Sequence, residues 1–170
     1  MINGPNLWSA ILAQMPPGSV IAGGAIRDWY LGVEPKDIDV FTGGTADGNP
    51  RSGLFRIDNY YERQEEYQAM GNIQLVSSGQ LLGYRVDLVE MTDFTDGATL
   101  VKGFDFAINQ MFYGGKFILR TVAAINDLAN HTVTLLRDDR LERSLRRFER
   151  FNERMGGTWE LVRCVTTTSL

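Results

Sequence analysis

The chain has 170 residues, 44% of them hydrophobic and 22% charged, with 18 glycines and 5 prolines, the composition of a folded globular protein rather than a disordered or fibrous one. A net charge of −4 argues against strong non-specific nucleic-acid binding by the whole surface, so any RNA contact must use a local basic patch. One cysteine, Cys164, excludes an internal disulfide, and one histidine, His131, excludes histidine-rich zinc sites and argues against a Ser-His-Asp triad.

This length is most simply one domain over 1–170, with a core at about 18–120 and a helical C-terminal part at about 121–160. No apolar run approaches the ~20 residues of a membrane span, and the N-terminus lacks the basic-then-apolar layout of a signal peptide. A cytoplasmic protein without a membrane partner is therefore expected.

In chain order, a helix is predicted at about 6–15, capped by Asn6 and stopped by Pro16-Pro17. A strand at about 19–22 runs through Gly23-Gly24 into a second helix, with Trp29, Tyr30 and Leu31 on its inner side. At that turn the missing Cβ atoms and free backbone N–H groups let phosphate approach closely, and Arg27 adds positive charge one turn into the helix. A strand at about 37–42 carries Asp37 and Asp39. Side chains two apart on a strand share a face, so these carboxylates converge while Ile38 and Val40 enter the core. Hard divalent cations such as Mg²⁺ or Mn²⁺ need oxygen ligands and keep substrate phosphates as their remaining partners, which pairs the two acids with a nucleoside triphosphate.

Gly43 to Gly53 reads as a surface loop able to move over that nucleotide. Residues at about 58–69 read as a polar helix with its tyrosines on a half-buried face, and strands follow at about 73–77 and 83–91. The second of these strands offers Asp87 and Glu90, which are three apart and so face opposite ways. Asp87 is the better third metal ligand, because an acid between Val86 and Leu88 is costly to bury without a cation. The alternative is a surface acid paired with Arg85 or a loop amide, and Glu90 is expected to be solvated. Met111 to Arg120 is predicted to be a hairpin turned at Gly114-Gly115. Phe104 to Phe112 reads as a core segment, with Phe106, Ile108, Met111 and Phe112 inward.

In the last predicted helix Arg140, Arg143, Arg147, Arg150 and Arg154 fall in one sector. Leu141, Ser144, Leu145, Phe148, Phe151 and Met155 occupy the next sector, and Glu142, Glu149 and Glu153 the one beyond. Docking of the apolar sector leaves the arginine stripe beside the seam, where it either lines a cleft or is a solvated face balanced by the glutamates.

Val20 to Thr42, VIAGGAIRDWYLGVEPKDIDVFT, resembles the head-domain signature of the tRNA CCA-adding enzyme and bacterial poly(A) polymerase family, within the polymerase-beta-like nucleotidyltransferase superfamily. Phe104-Asp105-Phe106-Ala107-Ile108-Asn109-Gln110-Met111 is similar to the family's Arg-Asp-Phe-Thr-Ile-Asn-Ala-Met motif. Asn126-Asp127-Leu128 and Val133 to Asp138 resemble the segment that follows it, so the similarity spans roughly residues 18–151. The resemblance implies an α/β fold with a small mixed or mostly antiparallel sheet flanked by helices. It implies transfer of a nucleoside monophosphate from an NTP to a hydroxyl, above all the 3′ end of a tRNA-like RNA, with no protein nucleophile. Asp37, Asp39 and Asp87 would then be catalytic metal ligands, and Gly23, Gly24 and Arg27 would hold phosphate oxygens. Asp105 would contact the nucleotide sugar, with Asn109, Arg143, Arg147 and Arg150 as further nucleotide-binding residues.

The chain also departs from the family. Gly103 and Phe104 stand where arginines usually precede the Asp-Phe-Thr segment. In Asp138-Asp139-Arg140-Leu141-Glu142-Arg143, Glu142 stands where the base-reading Glu-Asp-x-x-Arg element has its arginine, although Arg147-Phe148-Glu149-Arg150-Phe151 keeps the Arg-x-x-Arg-Phe spacing that follows. The family's helical body and tail do not follow the last helix, so a grip on RNA falls to the arginine stripe, to oligomerisation or to a partner protein. Two other functions fit the same features: a transferase that nucleotidylates a protein or small molecule, and an inactive head that binds nucleotide or RNA as a regulatory module.

Overall fold

A computed structural model describes residues 3–43, 56–61 and 72–164, with the backbone alone for 56–61. The predicted loop beyond Gly43, the part of the predicted helix beyond Tyr61, and the tail Val165 to Leu170 lie outside the described residues.

Helix α1 spans Gly4–Leu12. It starts two residues earlier than predicted, because Asn3 rather than Asn6 takes the cap position and Pro5 fits the first turn, where its missing N–H has no partner to lose. It buries Trp8 and Ile11 completely. Strand β1 (Val20–Ala22) then leads through Gly23 into α2 (Gly24–Tyr30), and β2 (Ile38–Thr42) follows. Residues Arg56–Tyr61 form strand β3, which corrects the helix expected from about 58: this segment pairs antiparallel with β4 (Ile73–Leu81). β5 (Tyr84–Met91) returns from β4 through Leu82-Gly83, both with positive φ, 54° and 82°, the two-residue turn whose twist matches a hairpin.

After β5, Asp96 caps the short helix α3 (Gly97–Lys102) by accepting the Thr99 backbone N–H at 2.7 Å. That hydrogen bond holds the Asp96 carboxyl below its usual range. A 3₁₀ turn at Ala107–Asn109 precedes the hairpin of β6 (Met111–Tyr113) and β7 (Ile118–Arg120), as expected around Gly114-Gly115. Helix α4 (Val122–Asn130), strand β8 (Thr132–Leu135), helix α5 (Leu141–Arg154) and strand β9 (Glu160–Arg163) complete the described chain.

Among the described residues seven strands form one mixed sheet in the order β3-β4-β5-β2-β1-β6-β7, with β2 and β5 parallel and the other neighbours antiparallel. Strands β8 and β9 pair in parallel as a small second sheet. Alternation along β2 divides the large sheet into two faces. Ile38 and Val40 point into a core with Ile21, Val86 and Leu88, covered by Trp8 and Ile11 of α1 and Ile26 of α2. Phe41, on the other face, joins Val20, Ala22, Val89, Met91, Leu100 and Val101. Helix α3 closes that second core. It lies so near β6 that a Cβ on Gly97 would meet the Phe112 ring at 2.2 Å, which explains glycine there.

Two burial expectations are corrected. Glu90 is buried rather than solvated, because β5 is central and carries Glu90 opposite Thr42 of β2 and Leu75 of β4. Tyr30 is exposed rather than inward, lying against the Arg120 guanidinium at 4.5 Å from the ring centre, while Trp29 makes the inward contact with Trp8.

Candidate active site

Parallel pairing of β2 with β5 puts Asp39 directly opposite Asp87. Opposed residues of parallel neighbours share a face, with strands about 4.8 Å apart, so residues 48 positions apart become adjacent on the face away from Ile38 and Val40. Asp87 also stands opposite Ser78 of β4, whose hydroxyl donates to its Oδ1. The Arg85 guanidinium lies 3.8 Å from the same oxygen. Asp87 is buried, whereas Asp39 is half-buried and Asp37, just before β2, is exposed. Among the described residues no three His, Cys, Asp or Glu side chains form a ready cluster for a metal ion.

Beside Asp39, β1 ends in the Gly23-Gly24 turn. Gly23 has φ 84° and ψ −130°, a region closed to residues with a Cβ, and its carbonyl accepts the Arg27 N–H that opens α2. Gly23→Ala is expected to lower the thermal midpoint through backbone strain of roughly 1–3 kcal/mol. A Cβ there meets only Phe104, at 3.4 Å, so an unchanged midpoint would show that the backbone can relax and that the glycine is not a conformational requirement.

A cleft opens at this turn. Its floor is Gly23, Gly24, Asp39 and Phe41, and one wall is the segment that carries Phe104, Asp105 and Asn109. The opposite wall is the start of α5 with Asp139, Arg140, Arg143 and Arg147, and Arg137 closes the end. Four arginines and three aspartates line it among the described residues, so a protein of net negative charge carries a locally cationic cleft. Arg147 donates to Asp105 Oδ2 at 2.7 Å, and Ser144 donates to the same oxygen at 3.2 Å. These bonds fix Asp105 against α5, which docks through Ser144 and Phe151 with Leu141, Phe148 and Met155 partly buried beside them.

The structure thus gathers Gly23, Gly24, Asp39, Asp105, Asn109, Arg143 and Arg147 around one cleft. Asp87 lies behind Asp39 without lining it, Asp37 stands at the near end of β2, and Arg150 is exposed further along α5. Arg27 is turned away from the cleft. Its guanidinium donates to Asp28 Oδ1 at 2.6 and 2.9 Å and to Asn109 Oδ1 at 2.8 Å, over the Phe151 ring at 4.5 Å from its centre. Burial lowers the affinity of Arg27 for its proton, and Asp28 opposes that effect. Arg154 donates to the other Asp28 oxygen at 2.8 Å and to the Glu34 carbonyl at 2.6 Å. Arg27 and Arg154 therefore tie α2 to α5, while Arg140, Arg143 and Arg147 face the cleft.

Sequence reasoning missed Arg137. It donates to the Gly103 carbonyl at 3.2 Å and makes a forked pair with Asp139 at 3.0 and 3.2 Å. A cation is thereby brought to the position where the sequence lacks one. Glu142, which breaks the base-reading spacing, points out of the cleft to Arg146 at 2.6 Å. Arg143, one position later, is the residue that faces inward.

No protein-family model matches the sequence, and no curated protein matches it significantly. Solved structures do match. A CCA-adding enzyme in complex with CTP superposes on 92% of the chain with a TM-score of 0.62 at 18% identity. A CCA-adding enzyme with ATP does so over 92% with 0.58 at 21%, and the Thermotoga maritima CCA-adding enzyme complexed with tRNA over 88% with 0.57 at 21%. The chain spans 39%, 38% and 37% of the length of those proteins respectively. It therefore shares the mixed α/β fold of the matching part of the CCA-adding enzymes.

Proposed function

We propose that the protein is a minimal metal-dependent nucleotidyltransferase that moves a nucleoside monophosphate from an NTP to a hydroxyl, above all at the 3′ end of an RNA. The observation that carries this reading is the register of Asp39 opposite Asp87 on neighbouring parallel strands, beside the Gly23-Gly24 turn at the mouth of an arginine-lined cleft. The donor chemistry fits Mg²⁺ or Mn²⁺, which are bound through one or two carboxylates and complete their shell with substrate phosphates and water. Asp39 and Asp87 would hold the ion, with Asp37 reaching the same side from the strand entrance. When bound, it supplies charge neutralisation at the triphosphate and acidifies the attacking hydroxyl.

The remaining work falls to the chain's own groups. The Gly23-Gly24 turn, which lacks Cβ atoms, lets phosphate come close to the backbone N–H groups that open α2, which donate to it, while the Gly23 N–H itself donates to the Met111 carbonyl. Arg140, Arg143 and Arg147 offer guanidinium forks to phosphate or to base edges. Asp105, held by Arg147 and Ser144, presents its other carboxylate oxygen to a sugar hydroxyl, and Asn109 is anchored by Arg27 at the cleft wall. No side chain needs to act as a nucleophile, because positioning and charge supply the catalysis.

The test is transfer from each α-labelled NTP, with Mg²⁺, onto total RNA and total protein in parallel, with Asp37→Ala/Asp39→Ala as control. Label in RNA that depends on both aspartates is expected, and it names the nucleotide. Label in protein would move the assignment to a transferase acting on proteins. The Ser78 and Arg85 contacts to Asp87 favour one other reading, a nucleotide-binding module without turnover. In that case Mg²⁺ plus NTP raises the thermal midpoint by mass action on the folded state while no label is transferred.

A further inference from the structure

A second cavity, of about 160 Å³, adjoins the cleft. They share Gly103 and Arg137, so the hydrogen bond from Arg137 to the Gly103 carbonyl is the partition between them. The floor of the second cavity is apolar, made of Met91, Leu100 and the half-buried ring of Phe94. Its rim is polar, with Asn72 donating to Asp93 and with Asp96 accepting from the Thr99 N–H and hydroxyl, so that the remaining carboxylate lone pairs make it an accepting rim. Two carboxylates at the rim repel phosphate, and the Thr99 N–H stabilises the charge of Asp96. A suitable ligand is therefore flat and apolar on its faces, offers N–H donors at its edge, and carries its negative charge on the Arg137 side.

We propose that this cavity is a nucleobase subsite in which an unstacked base lies on Phe94, presents its amino edge to the Asn72–Asp93–Asp96 rim, and leads its phosphate across Arg137 into the cleft. The proposal rests on the nucleotidyl-transfer reading of the cleft, since that reading brings two nucleotide units together there: the incoming NTP and the end of the acceptor. Arginine-lined walls serve phosphate, whereas an aromatic floor with an acidic rim serves a base, so the two cavities have complementary chemistry. Nothing local along the chain marks the subsite, because its residues come from the end of β5, the β5–α3 connection, α3, the residue before β4 and the segment before α5.

The test measures binding without turnover, using a labelled short ribo-oligonucleotide of mixed sequence and, separately, each NTP with Mg²⁺. Phe94→Leu keeps an apolar floor but removes the stacking face and is expected to weaken one of the two ligands roughly tenfold, with Phe94→Trp restoring it. Loss confined to the oligonucleotide assigns the subsite to the acceptor's base, and loss confined to NTP assigns it to the incoming base. Parent affinity for both ligands in Phe94→Leu overturns the proposal. A readout on the unmodified protein needs no variant: the ligand should shift the amide resonances of Thr95 and Thr99, and unmoved resonances at saturation also overturn it. Transfer without binding in this cavity refutes the subsite alone, and binding here without transfer refutes the transferase reading alone.

Discussion

Asp39→Asn is expected to reduce nucleotide transfer at least about a thousandfold, because it removes a charged oxygen ligand at the point where charge develops. The same substitution is expected to leave the fold intact in EDTA, because Asn keeps the shape of the side chain, Asp39 is only half-buried and relief of like charge opposite Asp87 is worth roughly 0.2–1 kcal/mol. Loss of transfer without loss of stability separates a functional acid from a structural one. Transfer assays with labelled NTP, paired with thermal unfolding in EDTA, read both; a variant that retained transfer within tenfold of the parent would remove Asp39 from the mechanism.

Asp28→Ala is expected to give the largest loss of stability of any substitution considered, about 3–5 kcal/mol. Asp28 is buried between two guanidiniums, with Arg27 on one oxygen and Arg154 on the other. Its removal leaves Arg27 in an interior that already disfavours its charge, and the remaining partner is the amide oxygen of Asn109. Arg154→Met should cost less, because Arg154 is more exposed than Arg27 and its loss leaves Asp28 still paired. Urea unfolding of the two single variants and the double variant gives the coupling. Equal losses from Asp28→Ala and Arg154→Met would show that the bridge to Arg154, not the stranded charge of Arg27, sets the energy. Transfer should fall with stability in Asp28→Ala, since the same network places Asn109 and the docked α5.

The parts of the fold and site that were legible in the sequence are those set by local rules. Asp37-Ile38-Asp39-Val40 alternates with period two, and the structure buries Ile38 and Val40 and turns Asp39 to the other face. Gly23 needs a backbone that only glycine adopts easily, and the strand-turn-helix around it follows. The arginines of α5 and its N-cap Arg140 share a sector by helical geometry alone, and Arg140, Arg143 and Arg147 line the cleft. What was hidden depends on tertiary pairing. Residues Arg56–Tyr61 are strand only because β4 offers an edge, and their charges and tyrosines fit a helical period as well. Glu90 reads as a surface acid until β5 proves to be flanked on both sides. Arg137 sits in a segment without periodicity, and its place is decided by a carbonyl 34 residues earlier. Arg27 reads as a phosphate ligand from its position near Gly-Gly, yet Asp28 and the aromatic face of Phe151 draw it inward.

The bond between Asp28 and Arg154 joins residues 126 positions apart, and that between Asp105 and Arg147 joins residues 42 apart. During synthesis the acid-bearing strands β2 and β5 leave the ribosome well before α5, so the sheet can pair while one wall of the cleft is still missing. Carboxylates without their arginines have little hold on a triphosphate. On the nucleotidyl-transfer reading a growing chain is therefore unable to sequester nucleotide until α5 has emerged and docked, which makes the docking of that helix, rather than formation of the sheet, the moment at which the site comes into being.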